Sequence, residues 1–176
     1  IAYNSKHFTL VANDATNGNN AHGALMFDRS YKVVNMTAEQ RASYVGSKGL
    51  SWAVLKDKKT GAYVLALNSH FAVCTSNYTG YTPEEAIMDR VSNAAQVIEK
   101  MNEVYDVFGI IPTVLTGDFN MAQYASAYKL LSETFEDSLY ANDDFIKYEH
   151  TRNQFESADF IHEPTGPIDR VFYNDE

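Results

Sequence analysis

The stretch from residue 62 to residue 118 constrains the fold most, because an amphipathic helix separates two apolar, strand-like runs. Thr82-Pro83-Glu84-Glu85 is a capping box with proline at the first helical position, and it predicts where the helix begins. The helix is predicted to end near Gly109. Its predicted inward stripe consists of Ile87, Val91, Ala94, Ile98, Met101 and Tyr105. A strand, a long helix and another strand form a crossover unit, which predicts an α/β fold.

The strand before this helix also belongs to a predicted β-hairpin. Residues 51–55 and 62–67 are apolar and flank the polar loop Asp57-Lys58-Lys59-Thr60-Gly61. The remaining predicted elements are two strands within 1–11, a strand at 24–27, a helix at about 125–135 and a final strand at 168–173. Residues 141–167 are polar and predicted to be loop. No linker or repeat divides residues 1–176, so we expect a single domain.

The composition limits the partners of the chain. The net charge of −9 argues against a broad basic surface for nucleic acid or anionic membranes, although a bound cation would offset local repulsion at a nucleic-acid substrate. A single cysteine, Cys74, excludes an internal disulfide and leaves both a cytoplasmic and a secreted location open. No run approaches 18 apolar residues, so the sequence predicts a soluble chain without a membrane span.

Gly117-Asp118-Phe119-Asn120 follows an apolar run that begins at Ile110. Side chains alternate along a strand, so Asp118 and Asn120 are expected to point the same way. Carboxylate and amide oxygens suit Mg²⁺, or alternatively Mn²⁺, better than Zn²⁺. The same two residues are also typical of a turn that closes a strand. Taken alone, the motif leaves both interpretations open.

Polar side chains stand at two further strand ends. Asn68 and His70 share one face at the end of the second hairpin strand, and Asp169 stands near the start of the final strand. Ligands of α/β sheets usually bind at strand ends. Together with Asp118, these residues predict one site at one edge of the sheet.

The order of these motifs resembles the endonuclease/exonuclease/phosphatase superfamily, whose deoxyribonuclease-I-like fold is a two-sheet α/β sandwich. The resemblance extends from about Ile1 to Tyr173, and the Gly-Asp-Phe-Asn element is its most diagnostic part. The motifs that carry it are Lys48-Gly49-Leu50-Ser51-Trp52-Ala53, Asn68-Ser69-His70, Arg90 on the helix, Thr116-Gly117-Asp118-Phe119-Asn120, Phe135-Glu136-Asp137-Ser138 and Ile168-Asp169-Arg170-Val171-Phe172.

The resemblance implies a divalent-metal-dependent phosphoester hydrolase, a phosphodiesterase, nuclease or phosphatase. His70 matches the histidine that contacts the scissile phosphate and assists the leaving group. Asp118 and Asn120 match the pair that positions water, phosphate and Mg²⁺, and Asp169 matches the aspartate that orients a catalytic histidine. The implied partner is a phosphate ester, with nucleic acid, a phospholipid headgroup and a sugar phosphate all open, and the oligomeric state is open too.

The chain also departs from the family pattern. The family has an asparagine and a metal-binding glutamate before the segment that matches Ile1, and a Ser-Asp-His element after the segment that matches Tyr173. We therefore expect a domain that is incomplete at both ends, binds metal weakly and catalyses poorly. A binding module that keeps the fold without the chemistry is the alternative interpretation.

Three residues are weaker candidates for phosphate binding. Asn68 stands beside His70 and would help to shape the site. Lys48 is instead expected to be solvated, and Arg90 is expected to form an ion pair on the surface of its helix. Neither Ser69 nor Cys74 is predicted to act as a nucleophile, because no Gly-x-Ser-x-Gly elbow surrounds Ser69 and nothing marks Cys74 as activated.

Overall fold

The computed structural model describes residues 1–14, 16, 20–27, 48–72, 83–121, 125–141 and 168–174. The strands of this part of the chain form one seven-stranded sheet. The strands are β1 (Phe8–Leu10), β2 (His22–Met26), β3 (Gly49–Asp57), β4 (Tyr63–His70), β5 (Thr113–Asp118), β6 (Glu136–Asp137) and β7 (Asp169–Asn174). The helices are α1 (Pro83–Phe108) and α2 (Ser126–Ser132).

The strand order is β1-β3-β4-β5-β7-β6, and β2 also pairs with β3. Strands β4 and β5 run parallel and the other pairs are antiparallel. Helix α1 is the crossover between β4 and β5, so the predicted hairpin, crossover and α/β class are confirmed. The described residues supply one sheet of the predicted sandwich.

One face of the sheet and the two helices enclose the hydrophobic core. Edge-to-face aromatic contacts run through it, with ring centroids 4.9 Å apart for Phe71 and Phe119 and 5.2 Å apart for Phe119 and Phe172. Phe71 and Phe119 directly follow β4 and β5, so this packing anchors the backbone at both strand ends.

The inward face of α1 differs from the predicted stripe at its first turns. Ile87 is 41% exposed, whereas the polar residues Arg90 and Asn93 are buried. The apolar part of the buried face comprises Ala94, Val97, Met101 and Val104. The rest of the predicted stripe is confirmed, because Ala94 and Met101 are buried and Val91, Ile98 and Tyr105 pack against the core while partly buried. Near the start of the helix, hydrogen bonds to neighbouring segments bury polar side chains instead.

Two other boundaries differ from prediction. Residues 1–4 are not a strand: the carbonyl of Asn4 accepts hydrogen bonds from the backbone amides of His7 and Phe8, which closes a turn before β1. Helix α2 ends at Ser132, although the predicted inward residues Tyr128, Leu131 and Phe135 are all buried. Cys74 and the predicted loop at 142–167 lie outside the described residues.

A buried ion pair joins β6 to β7. Arg170 Nη1 lies 2.5 Å from Asp137 Oδ2, and Tyr128 of α2 donates a hydrogen bond to the same oxygen at 3.2 Å. Burial and the neighbouring carboxylate raise the pKa of Tyr128 to about 12. The pair therefore ties β7 to the edge strand β6 and, through Tyr128, to α2. Among the described residues, no helix has the length and apolar character needed to cross a membrane.

Candidate functional site

The sheet register aligns three of the polar residues predicted at strand ends. His70 of β4 pairs with Asp118 of β5, and Asp118 pairs with Asp169 of β7. Gly49, which follows Lys48, pairs with His70 on the other side. Residues paired directly across a sheet project to the same face. The structure therefore gathers His70, Asp118 and Asp169 into one row, with Lys48 at its end.

His70 lies between a carboxylate and an ammonium group. Its Nε2 is 3.6 Å from Asp118 Oδ2, with side chains that are 48% and 35% exposed. The Nζ atom of Lys48 lies 2.5 Å from the same Nε2. A lysine ammonium group only donates, so a charged Lys48 is the donor in this contact, and the tautomer of the His70 ring decides the role of Nε2.

The prediction that Lys48 is solvated is wrong, since the residue is only 7% exposed. Its backbone carbonyl accepts a hydrogen bond at 3.3 Å from the amide of Phe27, the residue that follows β2. Burial lowers the pKa of the Lys48 ammonium, and the charge of Asp118 opposes this shift. A buried cation beside two strand ends is a local attraction for anions in a chain of net charge −9.

The same environment shifts the pKa values of His70 and Asp118. Burial, and then the charge of Lys48, lower the pKa of His70 below its ordinary value, while Asp118 and Asp169 raise it in part. Burial raises the pKa of Asp118, although the hydrogen bond from Asn120 and the charge of His70 act against it. The site thus favours a neutral imidazole at neutral pH.

Because folding lowers the pKa of His70 below 6.5, its contribution to stability is present above pH 6.5 and is lost as the pH falls through the folded value. We expect His70→Gln to lose less stability than wild type between pH 7 and pH 5, measured by urea midpoints without divalent metal. His7→Gln removes an exposed histidine and is the control. Equal pH dependence for wild type and His70→Gln would contradict the shift.

The turn after β5 fixes Asn120 in an unusual backbone conformation. Its φ is 48°, the left-handed region, which asparagine tolerates better than most residues. Its backbone amide donates to Asp118 Oδ1 at 3.0 Å, and its side-chain Nδ2 donates to the carbonyl of Phe71 at 3.1 Å. Strand alternation therefore does not extend to Asn120, because β5 ends at Asp118. The backbone after β5 thus forms the strand-closing turn that was the alternative interpretation of Asp118 and Asn120.

The oxygens that these turn bonds leave available are Asp118 Oδ2 and Asn120 Oδ1. Mg²⁺ commonly takes one or two protein oxygens and keeps several waters alongside substrate phosphate. The described residues contain no group of three or more His, Cys, Asp or Glu side chains that could hold a metal ion. A metal ion held only by these two oxygens would need waters or substrate oxygens to complete its coordination.

Two other predicted residues lie near the row. Asn68 is exposed on the face of His70, and its Nδ2 donates to Thr116 Oγ1 across the β4–β5 pair at 2.9 Å. Ser69 is 3% exposed, and its hydroxyl donates to the carbonyl of Gly49 at 3.0 Å.

Arg90 does not occupy the predicted surface position. It is 2% exposed, and its Nη1 donates to the backbone carbonyl of Asn120 at 2.6 Å. Sequence reasoning also missed Asn93, whose Oδ1 accepts the backbone amide of Ala72 at 3.0 Å. The available signal was a group of polar residues, Asp89, Arg90 and Asn93, that precedes the apolar part of the buried face of α1.

This arrangement of strands and crossover helix is the α/β fold called deoxyribonuclease-I-like, and it matches solved structures of endonuclease/exonuclease/phosphatase family proteins. A superfamily protein from Bacteroides thetaiotaomicron superposes with a TM-score of 0.66 at 23% identity, over 98% of this chain and 52% of that one. The mannosyl-6-phosphatase of the same organism gives 0.56 at 19% identity, over 98% and 55%. The 2′,3′-cyclic phosphatase ANGEL2 gives 0.62 at 11% identity, over 98% and 57%.

These similarities rest on structure. No family model matches the sequence, and no curated protein matches it. The chain spans just over half the length of the three solved structures.

Proposed function

We propose that this chain belongs to a divalent-metal-dependent phosphoester hydrolase, in which water attacks phosphorus and a P–O bond breaks, and that by itself it is weakly active. The observation that carries the proposal is the row of His70, Asp118 and Asp169 in register beside the buried ammonium of Lys48. Two of the structural neighbours are phosphatases by name, which supports a phosphate ester as the substrate class.

Asp118 and Asn120 are the proposed metal ligands, with Mg²⁺ as the preferred ion and Mn²⁺ as the alternative. When bound, such an ion neutralises charge on phosphoryl oxygens and lowers the pKa of a bound water. Asp118 Oδ1 is held by the amide of Asn120, so the carboxylate orientation is set before any ligand arrives. That preorganisation reduces the entropy lost on binding.

His70 is the proposed contact to the scissile phosphate and the leaving oxygen. Lys48 supplies positive charge at the same ring nitrogen, so a phosphate oxygen near Nε2 would also lie near the ammonium. Asp169 acts on the imidazole through its charge, which raises the pKa of His70. Asn68 is assigned a minor role in shaping the pocket, next to His70 on the same face of β4.

Metal removal tests the proposal. We expect the chain to hydrolyse bis-p-nitrophenyl phosphate or p-nitrophenyl phosphate slowly with Mg²⁺, to stop in EDTA, and to recover when Mg²⁺ exceeds the chelator. The release of p-nitrophenolate is followed by absorbance. Turnover that is indifferent to EDTA would contradict the metal assignment. No turnover of either ester, together with ligand binding that is unchanged by EDTA, would favour the binding-module alternative.

A further inference from the structure

Asn120 is tied to the protein through three of its polar groups. Its backbone amide and side-chain amide donate to Asp118 and Phe71, and its backbone carbonyl accepts from Arg90 Nη1 at 2.6 Å. These bonds hold a non-glycine residue at a φ of 48°, a conformation that costs energy unless its surroundings maintain it. These three bonds do not use the side-chain oxygen Oδ1, which is the atom proposed to contact a ligand.

Of these three hydrogen bonds, only the one from Arg90 joins Asn120 to a helix. The other two come from segments at the ends of β4 and β5, whereas Arg90 stands on the inward face of α1. A charged donor makes a stronger hydrogen bond than a neutral one, and burial of Arg90 excludes competing water. The length of this bond, 2.6 Å, agrees with a charge-assisted contact.

The same helix face holds the neighbouring strand end. Three residues along, the buried Asn93 accepts the backbone amide of Ala72, which follows Phe71 after β4. The carbonyl of Phe71 in turn accepts the side-chain amide of Asn120. Adjacent turns of α1 therefore secure both segments that carry the site, the one after His70 and the one after Asp118.

The geometry points to Arg90 as a positioning residue that sets the backbone of Asn120, and not as a contact to substrate. This inference rests on the proposed function for its consequence, because Asn120 is a proposed metal ligand. A residue 2% exposed would have to leave the core to contact a phosphate in solvent. Outer contacts of this kind typically change metal affinity or activity by about 10–100-fold.

The test replaces Arg90 by methionine, which keeps a long side chain and removes the donor. Tyr105→Phe is the matched control, because it deletes a 2.7 Å hydrogen bond between α1 and Thr113 at the opposite end of β5 from the site. In Arg90→Met we expect hydrogen exchange of the Asn120 backbone amide to accelerate at least about tenfold more than in the control, at matched global stability. Mn²⁺ binding, measured by electron paramagnetic resonance, should weaken by about tenfold or more.

If Arg90→Met does not fold, Arg90→Gln provides the same test, because its shorter side chain cannot place an amide where Nη1 lies. Unchanged exchange at Asn120 in the folded variant would overturn the inference, and so would Mn²⁺ affinity equal to that of Tyr105→Phe. A wild-type chain that binds no Mn²⁺, while Asn120 exchange still accelerates in the variant, would support the positioning role and overturn the proposed metal site.

Discussion

Gly117→Ala is expected to destabilise the fold by more than about 3 kcal/mol, among the largest effects of a single substitution. Gly117 pairs with Ser69 across the parallel β4–β5 ladder. A Cβ atom at Gly117 would lie 1.9 Å from the carbonyl oxygen of Ser69 and 2.9 Å from its carbonyl carbon. Both atoms are backbone, so no side-chain rotation relieves the overlap and the two strands would have to separate where His70 meets Asp118.

Gly109→Ala is the matched control for this substitution. Gly109 follows α1 with a φ of 76°, yet a Cβ atom there would meet nothing within 4 Å. Gly109→Ala therefore introduces the strain of a positive φ without a steric clash, and it should lower the free energy of unfolding by about 1 kcal/mol. Urea midpoints at constant slope compare the two variants. Equal midpoints would show that β4 and β5 do not approach as closely as described.

Asp118→Asn is expected to reduce phosphoester hydrolysis by at least about 10²-fold, in the range of losses for a group that handles a proton or charge in the reaction. An amide carries no negative charge for a metal ion and cannot accept a proton at neutral pH. Its oxygen would still accept the amide of Asn120, so the turn would persist. The loss should therefore appear in the rate and in Mn²⁺ affinity without loss of the fold.

Stability separates this explanation from unfolding. Because burial raises the pKa of Asp118, its charged form opposes folding above the ordinary carboxyl pKa. In EDTA at neutral pH, Asp118→Asn should thus be at least as stable as wild type, and any gain should shrink as the pH falls through the folded pKa. Asp106→Asn, an exposed acid on α1, is the control for net charge. Full activity in Asp118→Asn would contradict its assigned role.

The local elements and the strand ends could be predicted from the sequence because their signals are local. Alternation, a capping box and an apolar run before Gly117 depend on residues close in the chain. The hairpin, the crossover helix and the positions of His70, Asp118 and Asp169 at strand ends follow from those signals. The resemblance to a known family added the roles of these residues, which spacing alone did not supply.

The environment of the charged side chains required the tertiary structure. Lysine and arginine side chains usually face solvent, so the sequence alone predicts that Lys48 and Arg90 are exposed. Their burial depends on partners far along the chain: Lys48 meets His70, and Arg90 meets the carbonyl of Asn120. No local pattern encodes such contacts, because a backbone carbonyl looks the same at every position of a sequence.

The sequence by itself thus determined the α/β class, the order of the strands along the chain and the set of polar residues available for chemistry. Tertiary structure alone decided the register that aligns His70, Asp118 and Asp169, and the left-handed conformation of Asn120. The physical reason is that register and buried polar contacts come from packing and hydrogen bonding between distant segments. Local propensity sets only which elements form.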